Sequence, residues 1–163
     1  MPACSYLGLG SNMGDSNQNI AQAIQLISEI DNIEVTKKAS FYLSKAWGKT
    51  DQNDFVNTVI EIQCELSAEQ LLESLQQIEI KIGRVTSEKW GPRSIDIDIL
   101  TFADLVVNQP HLKIPHPHLT QRSFVLAPLY EINKSLIIAN KGHLKNFIDL
   151  KAFNREILDK YLL

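Results

Sequence analysis

Two cysteines, two tryptophans, seven glycines and no long apolar run are what this sequence of 163 residues offers, and each scarcity excludes something. Cys4 and Cys64 stand in apolar, strand-like runs with no CxxC or Cys/His spacing, so two buried free thiols are expected rather than a disulfide or a metal clip. No window approaches the ~20 consecutive apolar residues of a membrane helix. The opening MPACSYLGLGSNMGD has no charged segment followed by an apolar one, so a cytoplasmic chain without membrane contact is expected. Excess positive charge is missing too: 16 Lys and Arg stand against 19 Asp and Glu, a net charge of -3. Non-specific binding to nucleic acid draws on a basic surface, so no nucleic-acid partner is expected. There is no GxxxxGK[ST], which excludes a P-loop, and Gly8-x-Gly10 is followed by Met13 where a dinucleotide fingerprint needs its third glycine. Gly8 and Gly10 are instead expected to serve a tight turn. With no repeat, linker or low-complexity tract, residues 1–163 read as one domain, long enough to bury a core without staples.

What is present is a succession of well-punctuated elements. Ala3 to Leu9 alternates as a strand, and a helix capped by Asp15 or Ser16 carries Ile20, Ile24 and Ile27 on one face. Ile33 to Tyr42 reads as extended, followed by a polar loop to Asp54. Phe55 to Leu66 alternates again, with Val56, Thr58, Ile60, Ile62 and Cys64 on one face and Phe55, Asn57, Val59 and Glu61 on the other. Ser67-Ala68-Glu69-Gln70 fits a capping box, and Leu71, Leu72, Leu75, Ile78 and Ile82 continue a helix that Gly83 ends in the left-handed conformation. The loop RVTSEKWGPRS precedes the strand IDIDILTF. Short strands are expected at Leu105–Val107 and Leu112–Ile114, a helix over Ser123–Ile132, and a weakly helical tail from Leu144 to Leu163. The order β-α-β-β-α-β predicts an α+β domain, helices packed on a largely antiparallel sheet.

The chemistry concentrates at Ile95-Asp96-Ile97-Asp98-Ile99-Leu100. Alternation turns the isoleucines inward and points Asp96 and Asp98 the same way, about 6.5–7 Å apart along the backbone. Paired carboxylates on a rigid strand suit Mg2+, which takes oxygen ligands from one or two carboxylates and completes its shell with phosphates; alone, the pair could equally be a solvated strand face. Arg84, Lys89 and Arg93, in a loop that also holds Trp90, upstream and His116 and Arg122 downstream supply the cations that a metal–triphosphate site needs. Phe55 beside Asn57 offers a plate and an amide for a flat heterocycle, although on strand evidence alone packing under the neighbouring loop explains them as well.

Taken together, YLGLGSNMGD at 6–15, DFVNTVIEI at 54–62, LLESLQQIEIKIGR at 71–84, WGPRSIDIDIL at 90–100, IPHP at 114–117 and RSFVLAPLYEI at 122–132 resemble the 6-hydroxymethyl-7,8-dihydropterin pyrophosphokinases of folate biosynthesis. The resemblance implies a ferredoxin-like α/β sandwich. It also implies transfer of the β,γ-pyrophosphoryl group of ATP to the hydroxymethyl group of the dihydropterin, with release of AMP. By position, Asp96 and Asp98 match the ligands of two magnesium ions, and Arg84 and Arg93 the cations that face the phosphates. Gln76, Glu79, Trp90, Arg93, Ile99, His116 and Arg122 match positions lining the nucleotide. Phe55 and Phe124 match the aromatics around the pterin and Asn57 the amide that reads its edge, while Ser44, Trp47 and Gly48 fall where loop backbone meets it. Asp96 is also expected near the substrate hydroxyl.

The chain departs from the family pattern at Thr86, where an additional Arg is often found, and Lys89 or Lys113 are the candidates to replace it on the ATP side. The segment 45–49 lacks the prolines common in the pterin loop. Two other readings compete: a ferredoxin-like sensor that binds a nucleotide without turnover, disfavoured by the presence of both Asp96 and Asp98 because it has no need of two metals, and another metal-dependent nucleotidyltransferase, which leaves Phe55, Asn57 and Phe124 unexplained. A monomer acting on small molecules is expected.

Overall fold

The structure is a computed structural model that describes residues 1–45, 53–83 and 94–162. In chain order it runs β1 (Ala3–Ser11), α1 (Ser16–Ser28), β2 (Ile33–Lys38), β3 (Phe41–Ser44), β4 (Phe55–Cys64), α2 (Ala68–Ile82), β5 (Asp96–Phe102), β6 (Val107–Gln109), β7 (Leu112–Ile114), α3 (Ser123–Ile132), β8 (Ile137–Ile138), β9 (Gly142–His143), α4 (Leu150–Glu156) and β10 (Ile157–Tyr161). The main sheet has the order β10-β3-β4-β1-β5, with β2 pairing the remaining half of β4. Each of its pairings is antiparallel. With β2 and β3 sharing one position beside β4, the β-α-β-β-α-β core has the ferredoxin-like order.

The helix boundaries follow from local chemistry. Asp15 accepts a hydrogen bond from the Gln18 amide at 3.1 Å and opens α1. Ser67 and Gln70 form the reciprocal capping box, and Gly83, at φ 94°, closes α2. α1 and α2 press Ile20, Ile27, Leu71, Leu75 and Ile78 onto Leu7, Leu9, Ile60, Ile62, Ile97 and Ile99. On the opposite face a smaller core joins Tyr6, Val59 and Leu100 to Val125, Leu126 and Leu129 of α3. Alternate residues of the same strands therefore serve different cores.

Four expectations need correction. Gly8 and Gly10 do not turn the chain; β1 runs through both to Ser11, and it is Gly14, just beyond, that takes a positive φ. The extended run from Ile33 breaks at Ala39 and Ser40 into β2 and β3. The short strand expected at 105–107 is shifted to Val107–Gln109, where it hairpins with β7. Finally, the tail is helical only over Leu144–Phe147 and Leu150–Glu156; Ile157–Tyr161 is a strand completing the main sheet beside β3. Its signal is non-local: Phe41 packs its ring 6.1 Å from that of Tyr161, and the Tyr161 hydroxyl donates to Asn17 at 2.8 Å. Cys4 and Cys64 are both free thiols, and no helix among the described residues is long and apolar enough to cross a membrane.

Candidate active site

The sheet face under α3 is where the candidate residues meet. Register places Tyr42 of β3 opposite Asn57 of β4, Asn57 opposite Gly10 of β1, and Gly10 opposite Asp96 of β5. The next row runs from Val59 through Gly8 to Asp98. At a strand spacing of about 4.7–4.9 Å, Asn57 and Asp96 stand about 9–10 Å apart with a bare backbone between them. The floor needs that bareness: a Cβ on Gly10 would lie 2.4 Å from the Asn57 Oδ1. Two glycines at i and i+2 in a strand share a face, and that spacing was the signal by which these residues could have been found.

Asp96 and Asp98 are half-buried while Ile95, Ile97 and Ile99 are buried, as alternation requires. β5 is held in place from below, for the Glu79 carboxylate, only 4% exposed, accepts the Ile97 amide N–H at 2.9 Å. That bond pins the strand backbone between the two aspartates. Leu100 is the extra residue of a bulge, because Thr101 pairs with Tyr6 and Ile99 with Leu7. The Leu100 carbonyl accepts the His116 N–H at 2.9 Å, which brings His116 beside β5. Its Nε2 then stands 3.8 Å from the Asp98 Oδ2. The His116 Nδ1 accepts the His118 amide at 3.1 Å, so the ring proton resides on Nε2. Burial, reinforced by the charge of Arg122 and by His118, pulls the His116 pKa down to about 4, leaving a neutral donor at pH 7. Arg122, at the N-cap of α3, is 7% exposed. Burial lowers its pKa, and the nearby Asp98 and Asp96 oppose that shift.

A cleft of about 210 Å³ opens along the outer edge of β5, lined among others by Leu72, Asp98, Ile99, Lys113 and His116. Gln76 is exposed one helical turn from Leu72 on α2. At the other end of the floor, Ser44 lies opposite Phe55, and Phe55 is half-buried rather than fully exposed. The buried Ser44 Oγ and Asn57 Nδ2 have no hydrogen-bond partner among the described residues. Leaving such groups unmatched costs about 1–3 kcal/mol each, which a polar ligand seated on this floor would recover. Phe124, in the first turn of α3, is half-buried, with the Arg122 guanidinium 5.6 Å from its ring centre. Arg84, Trp90 and Arg93 lie outside the described residues, as do Trp47, Gly48, Thr86 and Lys89. Among the described residues no three His, Cys, Asp or Glu side chains could close around a metal by themselves.

Sequence reasoning missed a polar latch beside this floor. Glu131, near the end of α3, accepts the Ser40 N–H at 3.0 Å, the Ser40 hydroxyl at 3.0 Å and the Tyr42 hydroxyl at 2.6 Å. Burial would raise the Glu131 pKa, but bonds from Tyr42 and Ser40, with Lys160 nearby, hold it below the ordinary carboxylate value. The break between β2 and β3 is thus where α3 fastens to the sheet.

Residues 6–134 match the family described as 7,8-dihydro-6-hydroxymethylpterin-pyrophosphokinase. The 2-amino-4-hydroxy-6-hydroxymethyldihydropteridine pyrophosphokinase of Aquifex aeolicus is 43% identical over 135 residues, covering 83% of each chain. The protein of the same name from Haemophilus influenzae is 40% identical, covering 83% of this chain and 85% of its own. Among solved structures, the HPPK-DHPS of Plasmodium falciparum with pteroate superposes with a TM-score of 0.69 at 13% identity. That match covers 95% of this chain but 42% of the larger one, and so speaks for the fold alone. The aligned motifs, the ferredoxin-like sheet and relatives at 40–43% identity agree: this chain belongs to the 7,8-dihydro-6-hydroxymethylpterin-pyrophosphokinase family.

Proposed function

We propose that the chain transfers the β,γ-pyrophosphoryl group of ATP to 6-hydroxymethyl-7,8-dihydropterin, with two magnesium ions held by Asp96 and Asp98 and the pterin seated at Asn57. The observation that carries this reading is the row Asn57–Gly10–Asp96, with an unmatched buried amide at one end and paired carboxylates at the other. The donor set suits magnesium: two half-exposed carboxylates on a pinned strand leave most coordination positions to phosphate and water. When bound, the ions would neutralise the triphosphate and hold the attacking and leaving oxygens in line.

The chain's own residues do the rest. Leu72, Ile99 and Lys113 border the nucleotide's cleft, with Gln76 at its α2 side, while Glu79 keeps β5 from sliding. His116 presents its Nε2–H to a phosphate oxygen as a neutral donor, and Arg122 adds a permanent charge. Asn57 and Ser44 satisfy the polar edge of the pterin, and Phe55 and Phe124 cover its faces. Asp96 shares the row of Asn57 and so stands nearest the hydroxymethyl group. Arg84 and Arg93 are assigned to the migrating group, Trp90 to the nucleotide, and Trp47 and Gly48 to the pterin, on the family resemblance. The substrate oxygen forms a bond to the β-phosphorus, the bond to the α-side bridging oxygen breaks, and AMP leaves; the hydroxyl proton passes to solvent. The chain works as a single domain and a monomer in the cytoplasm, with neither nucleic acid nor membrane as partner.

Chromatography of a reaction with ATP, magnesium and the reduced pterin tests this. AMP formed one-for-one with the pterin diphosphate is the expected result. ADP with a monophosphorylated pterin would overturn it, free pyrophosphate would favour a nucleotidyltransferase, and binding without products would favour a sensor.

A further inference from the structure

The family match ends at residue 134, yet the chain beyond it reaches back to the site at two points. α3 carries Arg122 and Phe124 at its start and Glu131 near its end, and five residues of the tail, Glu156 to Lys160, touch both ends. At the start, the buried Ser123 hydroxyl donates to the Glu156 carboxylate. Ser123 is the residue between Arg122 and Phe124, and α3 has no side-chain cap of its own there. A carboxylate at that position also suits the positive end of the helix. At the other end, the Lys160 Nζ lies 3.8 Å from the Glu131 carboxylate and 5.6 Å from the centre of the Tyr42 ring. The backbone between these contacts is β10, which pairs with β3 from Ile157 opposite Ser44 to Tyr161 opposite Phe41. One stretch of chain therefore bonds to β3, the sheet side of the proposed pterin pocket, and grips α3, its other side.

We infer that Glu156 is a positioning residue for the reaction: through Ser123 it sets where the first turn of α3, and with it Phe124, stands over the Asn57 floor. Lys160 fixes the far end of the same helix through Glu131. Glu156 does not touch substrate, and the inference rests on the pterin site assigned above. α4 and β10 lie beyond residues 6–134, so spacing between α3 and the sheet is set here by a segment outside the stretch that the family model matches.

Steady-state kinetics on the full chain test this, with thermal melting to establish that each variant is folded at the assay temperature. Glu156→Ala is expected to raise the KM for the dihydropterin about five- to tenfold while the KM for ATP stays within about twofold, because Phe124 covers a pterin face and the nucleotide has several other contacts. Ser123→Ala should reproduce this, and the double variant should be no worse than either single one, since both remove the same bond. Glu156→Gln keeps an acceptor oxygen and should restore the KM to within about twofold of the parent. A folded Glu156→Ala protein with an unchanged pterin KM, or with both KM values raised equally, overturns the inference. Asn57→Ala separates the two failures. An unchanged pterin KM in that variant takes down the site and this inference together, whereas a raised one beside an unaffected Glu156→Ala takes down only the positioning role.

Discussion

The two faces of the sheet are made from the same strands and could hardly differ more. Toward α1 and α2, β1, β4 and β5 present Leu7, Leu9, Ile60, Ile62, Ile97 and Ile99, all buried and close-packed. Toward α3, the alternate positions are Tyr6, Gly8, Gly10, Asn57, Glu61, Asp96 and Asp98. The first face is bought with apolar area; the second spends stability on bare glycines, unmatched polar atoms and neighbouring carboxylates. A period of two lets one strand do both, because a side chain on one face leaves its neighbour on the other unconstrained. The smaller apolar core of the second face, around Val59, Leu100 and Leu129, sits beside the polar floor and anchors α3 there.

Charge removal on the polar face should have the largest effect. Asp96→Asn and Asp98→Asn keep the shape but delete the negative charge that the proposed magnesium site needs, so turnover should fall about 10²–10³-fold, or about 3–4 kcal/mol of transition-state stabilisation. Melting temperature should hold, and near-normal turnover with unaltered magnesium dependence in both variants would mean that these carboxylates are not the metal ligands. The opposite face should show the converse. Ile60→Ala opens a cavity under α1 and α2 and should cost about 2–5 kcal/mol in denaturant unfolding while the KM values of the folded fraction hold; a pterin-selective KM change would blur the division between the faces.

The glycines sharpen it further. Gly10→Ala forces a methyl to within 2.4 Å of the Asn57 Oδ1, so the amide must swing away and pterin binding by calorimetry should weaken by about 1–3 kcal/mol. Gly8→Ala meets the Leu100 side chain first, at 3.4 Å, and should change stability by under about 1 kcal/mol. Equal binding loss in the two variants would show that the floor needs glycine for some reason other than Asn57. The smallest effect concerns Glu61, at the far end of the polar face. It accepts hydrogen bonds from Tyr6 and from Thr36, the latter at 2.7 Å. Burial would raise its pKa, but those bonds and Lys37 hold it below the ordinary carboxylate value. A carboxyl depressed in the folded state adds stability above its unfolded pKa, near 4–4.5, and loses it as pH falls through the folded value. Glu61→Gln should therefore flatten the stability profile below pH 5, by about 1 kcal/mol at most; an unchanged acid limb would exclude Glu61 as a contributor.

Ser67, Gln70 and Gly83 bound α2 by local bonding alone, and the α3 boundaries at Ser123 and Ile132 were equally readable from the chain. So was the shared face of Asp96 and Asp98, because alternation is a property of any strand. The row Asn57–Gly10–Asp96 was not readable: it depends on register between strands far apart in the chain, and Gly8 and Gly10 looked like a turn until β4 and β5 were placed on either side. The same holds for Glu79 under Ile97, for the latch of Glu131 on Ser40 and Tyr42, and for a strand in a tail whose local pattern favours helix. Sequence by itself determined most of the elements, the caps of α1 and α2, the family and the residue types of the proposed chemistry, since these depend on neighbours a few positions away. Tertiary structure decided which of those residues face one another and at what spacing, because register, a bulge at Leu100 and long-range hydrogen bonds follow from the packing of the whole chain.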